Sequence, residues 1–432
     1  MSTKPNRRFQ RVLVTLVAIL LGLHAASQPA RAGGPDEVIN WNVVATSVAL
    51  PGGQNAIQQS RTYAMVQLAV HDALNAIDRR YAPYAYSPSE DPTASAPAAV
   101  ATAAHDVLLS QVPAQAAAIN SAWATSLSLI APGAARDGGV AIGHAAAAAM
   151  LALRANDGAS VVTPYTPGTL PGQWQPTPNP VPPIPAGADL LPAVLPGWGK
   201  VTPFALSSGA QFRPDGPPSL TSDQYTQDFD EVKAIGEQFS TLRTAEQSTI
   251  ARFWYEGSPN MWNRITRNIA MSRSLDSWEN ARVLALVNVA MADGFIAGFN
   301  AKYHFNFWRP VTAIRAADTD GNDNTVSDIN WNTYLNTPAI PDYPSTHSVL
   351  GGAAAEVLAR FFGSDAVAFT VTSGAPLAGL TRSFQSLSQA ADENADSRVF
   401  AGIHFRSACR DGVQQGRKIG KFTFMHYLEA IN

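Results

Sequence analysis

The sequence predicts an all-α protein in which two helical regions flank a long Pro-rich covering loop. Apolar residues recur at three- and four-residue spacing over residues 36–155, and again from Leu220 to the end. No segment shows sustained period-two alternation. Twelve prolines between Pro164 and Pro203 exclude regular helix from the stretch between.

Residues 1–32 carry the marks of a signal peptide. Lys4, Arg7, Arg8 and Arg11 form a positive start, Val12 to Leu23 is a short apolar run, and Ala30-Arg31-Ala32 supplies a small-residue cleavage site. The chain is therefore expected to be exported, periplasmic or secreted. Residues 33–160 read as the first helical region, in stripes such as Tyr63, Val66, Val70 and Ala73. Residues 161–215 form the Pro-rich loop; Trp174 and Trp198 favour an ordered cover over a disordered linker, because such linkers are poor in aromatics. Residues 216–432 form the second helical region. There, Asp276 or Ser277 caps a long helix running to about His304, and Ser345 and Gly363 bound another over 346–362.

Composition narrows the function classes. The 432 residues carry a net charge of -3 and only 15% charged side chains, with no basic stripe, which argues against a nucleic-acid partner. Mean hydropathy near zero, with no long apolar run noted beyond the leader, argues against stable membrane insertion of the mature chain. The single cysteine, Cys409, cannot form an intramolecular disulfide and reads as a small packed residue. Oligomeric state is not set by these residues.

Three segments carry the chemistry. Lys302 and Arg309 lie seven residues apart, so a helix reaching that far places both cations on one face. Pro344-Ser345-Thr346-His347-Ser348 stands at a predicted helix start, where free backbone N–H groups and the positive dipole end favour an anion. His347 adds a group that exchanges protons near neutral pH. Arg398 and His404 are six apart and converge only if the helix breaks, and Gly402 offers the break. Three cations, a helix N-terminus and two histidines suit a tetrahedral, multiply charged oxyanion.

The order and spacing of these segments resemble the tripartite signature of the vanadium haloperoxidases and type 2 phosphatidic acid phosphatases: Lys-x6-Arg-Pro, Pro-Ser-Gly-His and Ser-Arg-x5-His-x3-Asp. Here 33 residues separate Pro310 from Pro344, and 49 separate His347 from Ser397. Phe307-Trp308-Arg309-Pro310 is closer to the haloperoxidase branch. Val70-His71-Asp72-Ala73-Leu74-Asn75 and Trp198-Gly199 extend the likeness to soluble bacterial members. The resemblance implies a helical-bundle fold in which Lys302, Arg309 and Arg398 hold the anion's oxygens and Ser345 and the backbone at Thr346 add hydrogen bonds. It makes His347 the acid–base group, and His404 the residue bonded to vanadium or the nucleophile toward phosphorus.

The implied activity is vanadate-dependent oxidation of halide by hydrogen peroxide to hypohalous acid. The alternatives are an exported acid phosphatase, needing no cofactor and hydrolysing phosphate esters through a phosphohistidine, and a non-catalytic protein retaining the scaffold. Three departures stand out: Thr346 replaces the Gly, Ala408 replaces the Asp expected to orient the second histidine, with Asp411 as a substitute one turn later, and Ile340 matches neither the Phe of chloroperoxidases nor the His of bromoperoxidases.

Asp318 to Asp323 resembles a calcium loop with its Gly misplaced and reads as a polar turn. His71-Asp72 and His105-Asp106 read as polar faces or packing contacts. His304 is a candidate to line the pocket, and His144 and His426 have no companions suggesting chemistry.

Overall fold

In the computed structural model the structure describes residues 36–177 and 192–431. The expected signal peptide lies outside them, as does the middle of the Pro-rich stretch. The described chain forms helices α1 (Glu37–Val48), α2 (Ala56–Asn75), α3 (Ala96–Gln111), α4 (Ala116–Ser128) and α5 (Ala134–Arg154). After the Pro-rich stretch come α6 (Asp223–Ile235), α7 (Ala245–Phe253), α8 (Ser258–Ser272), α9 (Ser277–Phe305), α10 (Pro310–Arg315), α11 (Thr346–Phe362), α12 (Leu387–Phe400) and α13 (Arg406–His426). Among the described residues the fold is all-α apart from one antiparallel hairpin, β1 (Phe369–Thr372) with β2 (Thr381–Phe384). That hairpin escaped the sequence reading because four alternating residues are too few to register as a period.

α9 is the central element. Asp276 caps it in a reciprocal capping box with Glu279, and it ends on Asn306 in the left-handed conformation. Its apolar composition would suit a membrane span, but 94% of its most apolar window is buried inside the protein. This long apolar run was overlooked in the sequence, and a core helix accounts for it. α2 packs along α9, so one hydrophobic core runs through residues from both helical regions.

Two buried carboxylates fasten loops to these central helices. Asp72 of α2 accepts the backbone N–H groups of Tyr84, Ala85 and Tyr86 at 2.6–2.9 Å. Asp293 of α9 accepts those of Phe204, Ala205 and Leu206 at 2.7–2.9 Å, and burial pushes its carboxyl up to about 6. The His71-Asp72 pair is thus a packing device. His144, which has no sequence neighbours suggesting chemistry, pairs with Asp106 at 2.6 Å.

The Pro-rich stretch contains no α-helix among its described residues, only a 3-10 turn at Trp198–Lys200. Trp174 and Trp198 are buried, and the Trp174 N–H donates to Asn306 O beside the C-terminus of α9. Val194 N–H donates to Ala339 O, and Tyr303 Oη donates to Val194 O. The end of the loop therefore lies against the segment that leads into α11.

α11 is held unusually close to α13. Gly412, Gly416 and Gly420 recur every four residues along one face of α13. A Cβ on Gly412 would stand 2.7 Å from Ser345 O, and one on Gly416 would collide with the carbonyl of Val349. Backbone cannot yield as a flexible side chain can, so this stripe sets the depth of α11 and of the residues at its start. We expect Gly416→Ala to cost about 1–3 kcal/mol, read as a lowered thermal unfolding midpoint. An unchanged midpoint would mean that the stripe does not set the spacing.

Candidate oxyanion site

The three segments converge, by a route that differs from the simplest reading of their spacing. α9 does not reach Arg309: it stops at Phe305, Asn306 turns the chain, Phe307 pairs with Gln173, and Arg309 becomes the residue capping α10. Lys302 and Arg309 thus meet across a loop. His304 is exposed on the last turn of α9, edge-on to Phe305, and does not line the site. At the third segment Gly402 does break the chain after α12, with φ +79, and a Cβ there would collide with Gly236 O. His404 lies in the short connection between α12 and α13.

The side chains brought together are almost completely buried. Lys302, Arg309, Ser345 and Arg398 are 0–1% exposed, and Thr346 and His404 are 3–4% exposed. Lys302 Nζ donates to the carbonyls of Pro341 and Asp342 at 2.7 and 2.8 Å. Arg309 donates through Nε to Ile340 O at 2.7 Å and through Nη1 to Ile403 O at 2.6 Å, with Nη1 also 3.0 Å from His404 Nε2. Arg398 Nη1 donates to Trp254 O at 3.3 Å. Arg309 Nη2 and Arg398 Nε have no hydrogen-bond partner. Buried donors in that state are costly, and two on cations in one site mark a place built for an anion.

Ser345 caps α11: its Oγ accepts from Ser348 N–H at 3.5 Å, and its own N–H donates to Ala408 O at 2.9 Å. The cap leaves the first N–H groups of α11 without intrahelical partners. Thr346, in place of the Gly of the signature, does not block approach to them. Its methyl group packs on α9 at Gly298, where an added Cβ would stand only 2.8 Å from Thr346 Cγ2. One missing side chain makes room for the other.

A carboxylate missed in the sequence reading lies among these groups. Asp342 is fully buried, with Oδ1 2.8 Å from His404 Nδ1 and 3.7 Å from Arg309 Nη1. A lone acid in the apolar run Ala339-Ile340-Pro341-Asp342-Tyr343-Pro344 was the available signal. Asp411, the expected substitute for the absent acid at position 408, instead accepts from Tyr343 Oη at 2.7 Å and pairs with Arg410. The loop before α8 supplies further support. His347 Nε2 is 3.4 Å from Glu256 O, and the Glu256 carboxylate is clamped by Arg264 at 2.7 and 2.8 Å and by Gly374 N–H at 2.6 Å.

Burial without an anion strains the charges. It pulls Arg309 and Arg398 down to about 10 and Lys302 well below the usual lysine range, the last also through the neighbouring Arg309. His347 is pushed far down by burial and then Arg398, and His404 by burial and then Arg309 and Lys302. Burial raises the Asp342 carboxyl to about 7 against the pull of Arg309 and Lys302. Both histidines are therefore neutral before an anion arrives.

Helical bundles joined by a central apolar helix thus close on a buried cluster of three cations and two histidines with the chemistry to hold a tetrahedral anion. Residues 282–432 match the VCPO second helical-bundle domain. A vanadium chloroperoxidase of Curvularia inaequalis is 27% identical over 287 residues, which are 50% of this chain and 46% of that protein. The chain therefore aligns with about half of its curated relative. The crystal structure of a bacterial vanadium-dependent iodoperoxidase superimposes with a TM-score of 0.78 at 27% identity, covering 91% of this chain and 97% of that one. A holo-type bacterial vanadium-dependent chloroperoxidase gives 0.71 at 20% identity, covering 88% and 93%. The chain is thus similar to the vanadium haloperoxidases in fold and, over residues 282–432, in the bundle that carries most of the site residues.

A bound anion offsets the mutual repulsion of the cations and favours the charged forms of Lys302 and the two histidines, all held down by burial, so binding takes up protons. Linkage then requires affinity to rise as pH falls. Sulfate keeps its charge between pH 8 and 6 and is the clean probe. Its dissociation constant, measured by calorimetry, is expected to fall by about threefold or more over that range. Affinity that is flat, or that weakens toward pH 6, contradicts this electrostatic account.

Proposed function

We propose that this chain is a vanadate-dependent haloperoxidase in which hydrogen peroxide, halide and a proton give hypohalous acid and water. The observation that carries the reading is the pair of unpartnered cationic donors, Arg309 Nη2 and Arg398 Nε, buried beside His404 Nε2. Lys302, Arg309 and Arg398 would hold the oxygens of vanadate, with Ser345 and the backbone of Thr346 adding hydrogen bonds. When bound, vanadate supplies a Lewis acid that polarises peroxide toward attack by halide.

His404 presents Nε2 as the nitrogen able to bond vanadium. Arg309 donates toward that atom, and a guanidinium has no acceptor to offer it, so the facing nitrogen is the one that carries a lone pair. His347 is the proton carrier. It stands in the first turn of α11, only partly exposed, and is neutral before anion binding. Its Nε2–H faces Glu256 O, which leaves Nδ1 as the basic nitrogen. The buried cations also act on charge that develops as the peroxide bond breaks, because their positions are fixed beforehand by carbonyl partners.

The halide we assign first is iodide. It is the most easily oxidised of the halides, and the bacterial iodoperoxidase shares this fold over nearly its whole length. Ile340 adds neither an aromatic face nor an imidazole at the position that separates the other halide classes. Hypohalous acid would then leave and halogenate organic acceptors outside the cage. We also assign an exported location, periplasmic or secreted, from the leader-like residues 1–32.

The full mature chain is to be loaded with orthovanadate and assayed with peroxide and iodide, then bromide, with the vanadate-free form assayed in parallel on a phosphate ester. Halide oxidation that requires vanadate is the expected result. His404→Ala should abolish it, and His347→Ala should lower kcat by about 10²–10⁴. Phosphate-ester hydrolysis without vanadate would instead establish the phosphatase alternative. Absence of both activities in folded protein would leave the non-catalytic scaffold.

A further inference from the structure

A buried acid at a site that already has its cations and its histidines needs a reason to be there. Asp342 lies on the connection into α11, and its backbone is fixed at both ends. Its N–H donates to Phe307 O at 2.8 Å, and its carbonyl accepts from Lys302 Nζ at 2.8 Å. The carboxylate thus cannot drift from the site without disturbing the Lys302 loop. It is 0% exposed, its Oδ1 lies 2.8 Å from His404 Nδ1, and the backbone N–H of Phe405 also favours the ionised carboxylate.

The protonation pattern of His404 follows from its two neighbours. Arg309 Nη1 stands 3.0 Å from Nε2 and a longer 3.4 Å from Nδ1. Arginine only donates, and an ionised carboxylate only accepts. The ring proton belongs on Nδ1, beside Asp342, and the lone pair on Nε2, beside the cations. Reversing the tautomer would set an N–H against a guanidinium and a lone pair against a carboxylate, and both contacts would be repulsive.

We propose that Asp342 is the positioning residue for His404, holding the proton on Nδ1 so that Nε2 stays bare for a bond to the oxyanion's central atom. This rests on the reading of His404 as the residue that bonds vanadium. Asp342 does from the loop before α11 what no side chain on α13 can do. Position 408 is a buried alanine whose carbonyl is engaged by Ser345, and Asp411 is turned toward Tyr343 and Arg410. Groups that orient a metal-binding histidine in this way change affinity about 10–100-fold when removed.

A counterion role is the competing account of the same carboxylate, and anion choice separates the two. Sulfate is held by charge and hydrogen bonds alone, whereas vanadate also needs the bare Nε2. Asp342→Asn removes the charge but keeps an acceptor for Nδ1–H; Asp342→Leu removes both. Vanadate and sulfate affinities are to be measured by calorimetry on the full mature chain and both variants. The expected result is a vanadate-to-sulfate affinity ratio that falls about tenfold or more in Asp342→Leu and stays near the wild-type ratio in Asp342→Asn. Equal changes in both variants, or no change in either, would overturn the proposal in favour of a counterion.

Should Asp342→Leu fail to fold, nitrogen-15 NMR of the wild-type histidine rings provides the decision. A neutral His404 protonated at Nδ1 supports the proposal, and one protonated at Nε2 overturns it. The NMR result stands whether or not the wild-type chain binds vanadate. A wild-type chain that binds sulfate but not vanadate would refute the haloperoxidase reading and leave the tautomer test in force.

Discussion

Burying Lys302, Arg309 and Arg398 around one small volume is the constraint from which the rest of the site follows. Each cation taken out of water costs several kcal/mol unless partners replace its hydration. Backbone carbonyls of Pro341, Asp342, Ile340, Ile403 and Trp254 supply most of those partners, and Asp342 supplies the one nearby opposing charge. What is left unmet, on Arg309 Nη2 and Arg398 Nε, is what a multiply charged anion would meet under the proposed function. Burial is the main cause of the depressed pKa values of both arginines, the lysine and the two histidines, and neighbouring cations add to it at Lys302, Arg398 and both histidines.

Holding like charges together requires a frame that does not relax, and close backbone packing provides it. The glycine stripe of α13 presses α11 inward and fixes where its first turn opens. Asn394 of α12 donates to His347 O at 3.2 Å, one turn before Arg398, so the second and third segments are tied directly. On the opposite side, the clamp of Arg264 and Gly374 on Glu256 steadies the loop whose carbonyls reach Arg398 and His347. The small hairpin, the one departure from an all-α fold, thus acts at the site: Gly374 follows β1, and Arg264 Nη1 also donates to Thr372 O at 3.0 Å.

The helices and the five central site residues were legible in the sequence because both rest on local rules. Asp276, Ser345, Gly363 and Gly402 act through their own caps and turns, and the motif spacing survives without knowledge of the path between motifs. What was not legible depends on contacts across the fold. Arg309 looked like a continuation of the α9 face, yet Asn306 ends the helix before it. Thr346 looked like an obstruction, but its methyl fits against Gly298, 48 positions earlier. Asp411 looked like the nearest acid to His404 in sequence. The acid nearest in space is Asp342, 62 positions earlier, because the connection into α11 folds back over Lys302.

The central claim is that these separated segments enclose one tetrahedral oxyanion, with His404 at its edge. A crystal structure of the chain soaked with tungstate tests it most directly, because tungsten's anomalous signal locates the ion without reference to the protein. The account predicts a single site bounded by Lys302, Arg309, Arg398 and the first turn of α11, with His404 Nε2 facing the metal. Tungsten bound elsewhere, or in that cage with the His404 ring turned away, would contradict it.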